Sequence, residues 1–135
     1  MNLLGGYSTD VGFDPAEDHI GPFYYKVADG NLQYAFVATQ QHCNEHSMVH
    51  GGVLMAFADY CLCMEATNHY QSENCVTVSF NCEFISGGQM GDLIESTAEI
   101  IRQTGSLTFV RGQVFSGEDI ILTYSSVVKR LRNPE

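Results

Sequence analysis

Residues 53–64, VLMAFADYCLCM, constrain the fold more than any other part of the chain. The segment is helix-like, and its Val, Leu, Met, Ala, Phe, Tyr and Cys leave no polar stripe. A helix that is apolar nearly all round is stable only when other elements cover most of its surface. With 135 residues there is enough chain for one domain with a modest core, so that cover has to come from the same domain. The other segments with regular patterning are strand-like. An antiparallel sheet wrapped around one long central helix, of α+β class, is therefore the expected architecture.

The pass along the chain divides it into an N-terminal extension, residues 1–22, and a single domain, residues 23–135. Asp14-Pro15-Ala16-Glu17 reads as an N-cap, a proline at the first helical position and an acidic first turn, which predicts a short helix there. FYYKVADGNLQYAFVAT reads as a hairpin turning at Asp29-Gly30-Asn31. Residues 40–50 are a polar loop, and the helix is expected over 51–69. Strands are expected at 75–85, 92–103, 106–115 and 120–130, punctuated by Gly87-Gly88, Thr104-Gly105 and Gly117-Glu118-Asp119. The order is β-β-α-β-β-β-β.

Apolar content of 44% and charged content of 16% describe a globular chain. A formal net charge of −10 argues against a nucleic-acid partner, because phosphate backbones are met by basic surfaces. The N-terminus MNLLGGYSTD has neither the basic start nor the long apolar core of a signal peptide, which predicts a cytoplasmic protein. The apolar run after Gly52 is interrupted by Asp59 and is shorter than the ~20 residues a membrane span needs. Five cysteines with no Cys-x-x-Cys fit free thiols in a reducing compartment. Cys43 with His42, His46 or His50 is the one combination to consider for a metal. It lacks a second ligand pair at zinc-like spacing, so no metal is expected.

Asp59 is the anomaly in the helix. An ionised carboxylate in apolar surroundings costs several kcal/mol unless hydrogen bonds or a charge compensate. Its helical neighbours Met55, Ala56, Leu62 and Cys63 offer no polar face. Asp59 therefore either finds solvent on a narrow stripe or serves a site. His50-Gly51-Gly52 stands where the helix begins. The first helical amides have no intrahelical partner and carry the positive end of the macrodipole. Glycine lets a ligand oxygen approach them, so an anion or a developing oxyanion could be held there. Gly51 and Asp59 lie eight residues apart, ~12 Å along one helix. Two antiparallel copies could bring the helix start of one chain to Asp59 of the other.

Asn44, five residues, His50-Gly51-Gly52 and then Asp59 resemble the motif of the hotdog-fold acyl-CoA thioesterases, of the phenylacetate-pathway and 4-hydroxybenzoyl-CoA type. VTVSFNCEFIS followed by Gly91-Asp92, and then RQTGSLTFVRGQVF, extend the resemblance over roughly residues 30–130. Ser47 departs from it, at a position where many relatives carry glycine. The resemblance implies that the Gly51 amide, assisted by Asn44, polarises the thioester carbonyl, with Gly52 beside it. Asp59 of a neighbouring subunit would activate water or attack directly. Thr77 stands where relatives have a serine that places water, and His50 would orient the loop. A coenzyme A thioester is then the substrate, with no cofactor and no metal, on a homodimer with composite sites that could pair further into a homotetramer. Arg102, Arg111, Lys129 and Arg130 are the candidate partners for the coenzyme A phosphates. Phe57, Tyr60, Phe80 and Phe84 are candidates either to line the acyl pocket or to pack the core. A hydratase using His50 and Asp59, and an acyl-CoA binding module without turnover, are the two alternatives.

Overall fold

The computed structural model describes residues 2–132. Helix α1 spans Pro15–Ile20. The hairpin strands β1 (Tyr24–Ala28) and β2 (Asn31–Val37) follow, then a 3-10 turn at Gln40–His42 and the long helix α2 (Gly51–Thr67). Strands β3 (Glu73–Phe84), β4 (Leu93–Gln103), β5 (Leu107–Ser116) and β6 (Asp119–Arg132) complete the chain. All six strands pair antiparallel in the order β1-β2-β4-β5-β6-β3.

The sheet wraps α2, as the missing polar stripe requires. Ten of the helix's seventeen residues are buried. Phe57, Ala58, Cys61 and Leu62 are sealed completely against Tyr34, Phe36, Ile94, Val114 and Leu122 of the strands. Each such large side chain contributes ~1.5–3 kcal/mol by leaving water. The buried side chains of His42, Thr67, Ser96 and Ser126 are paired. The Ser96 and Tyr124 hydroxyls lie 2.9 Å apart. The Tyr34 hydroxyl donates to Glu65 at 2.7 Å.

The hairpin turn is tighter than the three residues expected. Asp29 (φ 54°) and Gly30 (φ 79°) are both left-handed and join Ala28 directly to Asn31. A two-residue turn of this kind has the twist that suits two paired strands. Helix α2 ends at Thr67 rather than 69. Asn68 caps it in the left-handed conformation (φ 49°), and His69 and Tyr70 continue that conformation at 62° and 55°. A left-handed residue is a common way to end a helix, though glycine is its usual occupant. No glycine or proline announces this stop.

The N-terminal segment is laid over the C-terminal half of α2. Ser8 bridges Tyr25 on β1. His69 Nε2 meets Asp10 Oδ2 at 2.7 Å, and the Phe13 ring packs on Tyr70 at 4.8 Å. Helix α1 begins as its sequence suggests: the Asp14 carboxylate accepts the Glu17 amide at 3.1 Å, with Pro15 at the first helical position.

Gly112 on β5 lets the Tyr124 hydroxyl and the Thr97 carbonyl come close to its Cα; a side chain there would collide with both. Gly112→Ala is expected to destabilise the fold by ~1–3 kcal/mol through overpacking, read from the denaturant midpoint. An unchanged midpoint would mean that Tyr124 moves aside freely.

Candidate active site

The polar loop before α2 is built by its own side chains. Asn44 Oδ1 accepts the amides of His46 (2.9 Å) and Met48 (3.2 Å), and its own amide donates to the Met48 carbonyl (2.8 Å). Ser47 sits at φ 61°. That left-handed conformation is a physical reason for a glycine to stand at this position in similar chains. Below the loop, buried His42 holds the Thr39 amide and the Gly21 carbonyl, each at 2.9 Å.

His50 caps α2. Its Nδ1 accepts the Gly52 amide at 3.0 Å, so that donor is spent within the chain. Val53 and Leu54 donate to the His50 carbonyl. Among the described residues the Gly51 amide has no partner, which leaves it as the free donor of the helix start. The Phe84 ring lies 3.2 Å from where a Gly51 side chain would begin, so this glycine also makes room for Phe84.

Asp59 is half-buried, and it is not alone. The Thr77 hydroxyl donates to its Oδ1 at 2.6 Å, and Cys63 Sγ stands 3.9 Å from the same oxygen. Thr77 reaches it from β3, next to a break in register between Thr77 and Ser79. Such bulges re-aim side chains. A cleft of about 460 Å³ opens over this carboxylate. Asp59 and Cys63 form one wall and Cys75, Val76 and Thr77 of β3 another, with Tyr70 and Asn74 between them. Phe13, Asp14 and Glu17 of the N-terminal segment complete it. Burial, and then the neighbouring carboxylates of Asp14 and Asp59, push the Glu17 carboxyl up to about 8.

The sequence did not reveal Phe13, Asp14, Glu17 and Tyr70 as parts of this cleft. Asp14 and Glu17 carry a helix-start signal, but nothing local says against which end of α2 that helix rests. Of the four aromatic candidates for a pocket wall, Phe57 is sealed in the core and Tyr60 is buried. Phe80 packs against the core beside Tyr124, and Phe84 lies next to Gly51.

The structure thus brings together Asp59 with Thr77, and His50 with Gly52, while Asn44 shapes the loop that leads into Gly51. Within one chain it keeps these two groups at opposite ends of a helical stretch. The cations lie elsewhere. Arg102 and Lys129 are exposed, and Arg111 faces Glu99 at 3.8 Å. Arg130 is engaged by Glu73 at 3.2 Å and by the Thr104 carbonyl. None of the four lines the Asp59 cleft. Among the described residues no group of three or more His, Cys, Asp or Glu side chains is arranged to hold a metal ion. No helix there is long and apolar enough to cross a membrane.

A family model described as the thioesterase superfamily matches residues 46–123, which span the helix start, Asp59 and most of the sheet. The chain belongs to the thioesterase superfamily. Its sheet around one helix is the hotdog fold of that superfamily, shared with several solved structures. The PaaI protein from the phenylacetic acid degradation operon of E. coli is 17% identical, with a TM-score of 0.77 over 88% of this chain and 86% of its own. A thioesterase from Haemophilus influenzae is 12% identical, with a TM-score of 0.79 over 91% and 87%. A Bacillus halodurans protein solved with CoA is 19% identical, with a TM-score of 0.73 over 82% and 74%. No curated protein sequence matches the chain.

Two measurements check the local geometry of this thioesterase-superfamily chain. Ser47→Val places a branched side chain at positive φ and is expected to cost ~1 kcal/mol or more of stability, whereas Ser47→Gly costs little. Equal midpoints for the two variants would contradict the strained loop. Glu17 stays protonated in the fold up to about 8, whereas its ordinary value is 4.5. The folded state therefore binds the extra proton between these limits, and stability falls as pH rises through them. Glu17→Gln is expected to flatten the decline in Tm across that window. Parallel curves for variant and wild type would contradict it.

Proposed function

We propose that the protein hydrolyses acyl-CoA thioesters at sites shared between two subunits. One observation carries this reading: a carboxylate held by a hydroxyl in a cleft, on the same helix whose first amide is left free. Asp59 of one subunit takes the proton of a water as that water attacks the thioester carbonyl, or attacks the carbonyl itself. The carbonyl oxygen gains negative charge and is received by the Gly51 amide of the other subunit. Asn44, whose Oδ1 is turned into its loop, offers its Nδ2 to the same oxygen. The coenzyme A thiolate then departs, and such a leaving group needs no strong acid. Thr77 fixes the Asp59 carboxylate and orients the attacking water. His50 acts through the loop, by capping α2. The superfamily match and the CoA bound to the Bacillus halodurans structure support this substrate class.

One surface feature supports the dimer. Strand β3 is a twelve-residue edge of the sheet, with Val76 (49%) and Val78 (61%) exposed along it. A long edge with apolar side chains invites pairing with a second copy. The cleft itself carries the Asp14 and Asp59 carboxylates beside a protonated Glu17 and no cation, so it repels phosphates and suits the acyl end. Phe13, Tyr70 and Val76 give it apolar walls, which favours uncharged acyl groups. The coenzyme A phosphates then lie outside it, towards exposed cations such as Arg102 and Lys129. A cytoplasmic location accords with five free thiols.

Asp59→Asn keeps the shape and removes the charge, and it is expected to lower kcat by ~10²-fold or more in a free-thiol release assay with acyl-CoA substrates. Thr77→Val is expected to cost ~10-fold. Wild-type turnover in Asp59→Asn would remove this residue from the mechanism. Saturable binding without thiol release for any acyl-CoA would make the protein a binding module.

A further inference from the structure

Two cysteines that thioester hydrolysis does not use stand in the Asp59 cleft. Cys63 is one helical turn after Asp59. Cys75 is two residues before Thr77 on β3, so the pleat turns both side chains to the same face of the strand. Cys63 Sγ lies 3.5 Å from Thr77 Oγ1 and 3.9 Å from Asp59 Oδ1. Cys75 Sγ lies 3.9 Å from the Tyr70 hydroxyl, and both cysteines line the same cleft. Helix α2 and strand β3 therefore meet here through a pair of thiols, set against the carboxylate and hydroxyl of the candidate site. Cys61 is sealed in the core, and Cys43 and Cys82 lie outside this cleft.

We propose that Cys63 and Cys75 form a modification site, a dithiol that hydroperoxides close to a reversible disulfide, silencing the Asp59 site. The silencing part rests on the hydrolytic reading above; the disulfide itself does not.

The two thiols are unequal. The neighbouring Cys63 thiol holds Cys75 below the usual thiol range, while Cys75 and burial hold Cys63 above it. Cys75 is half-buried at the cleft wall, whereas Cys63 is 7% exposed. Cys75 is thus the attacking thiolate, and Cys63 is the resolving thiol. The Cys75 sulfur attacks one oxygen of the peroxide and breaks its O–O bond. The departing hydroxide takes a proton and leaves as water, and Cys75 becomes a sulfenic acid. The Cys63 sulfur then attacks the Cys75 sulfur and expels hydroxide, which takes the Cys63 proton and leaves as a second water. In sum two thiols lose two electrons and two protons, and one hydrogen peroxide becomes two waters. The product removes the Cys63 S–H beside Asp59 and ties β3 to α2 two residues from Thr77. Both changes displace the Thr77–Asp59 pair.

The test treats the purified, fully reduced protein with hydrogen peroxide and maps its peptides without reduction. The expected product joins Cys63 to Cys75. Thiol-independent turnover, followed as acyl-CoA loss by chromatography, is expected to fall at least ~10-fold and to return with dithiothreitol. Cys75→Ser and Cys63→Ser, each compared with its own reduced form, are expected to lose this reversible response, whereas Cys82→Ser keeps it. A peptide map without the Cys63–Cys75 link, or with Cys75 as sulfinic acid instead, overturns the proposal whatever the turnover. A mapped link with unchanged turnover overturns the silencing. If the reduced protein hydrolyses no acyl-CoA, the functional reading fails instead, and the peptide map alone decides the dithiol.

Discussion

Helix α2 has no polar face to give to water, and the sheet closes around it. That burial stabilises the domain, and it also decides where chemistry can occur. A helix wrapped over most of its surface reaches solvent only along part of its length. One opening is its first turn, where Gly51 keeps an unpartnered amide behind the His50 cap. Another is the gap between α2 and the edge strand β3, where Asp59 meets Thr77. The two chemically useful features of the chain stand at openings in its own core.

Asp59 shows how a costly residue is tolerated. A carboxylate against an apolar helix is unfavourable unless donors reach it. Here the Thr77 hydroxyl supplies a short hydrogen bond, aimed by the register break after Thr77. The N-terminal segment narrows the surrounding cleft and adds two more carboxyls, Asp14 and Glu17. Their mutual repulsion and burial are relieved by leaving a proton on Glu17.

Much of this was legible in the residues. The apolar run around Asp59 called for a wrapped helix, and the glycines, Asp29-Gly30 among them, punctuated the strands close to where they end. Strand β4, expected over 92–103, forms as Leu93–Gln103. What escaped was set by contacts distant in sequence. The end of α2 depends on three left-handed residues, Asn68 to Tyr70, none of them glycine. Tyr70 in turn is held by Phe13, more than fifty residues away. The pairing of β3 with β6 and the placing of Cys63 and Cys75 in one cleft likewise follow from the closed sheet, not from any local pattern. In the candidate site, Asp59 and Gly51 stood out as residue types at a spacing, and Thr77 came from the resemblance to the family. The N-terminal wall was not, because its residues spell only a short helix.

The central claim is that one chain supplies the carboxylate and another the backbone donor. Subunit mixing tests it most directly. Gly51→Pro deletes the amide at a position where helices accept proline, and Asp59→Asn deletes the charge. Each variant alone is expected to be nearly inactive. Unfolded together and refolded, they should regain about one quarter of wild-type turnover, because half of the dimers hold one intact site. Activity that stays at the level of the separate variants, with mixed dimers demonstrated by mass, would show that the two groups do not act across subunits.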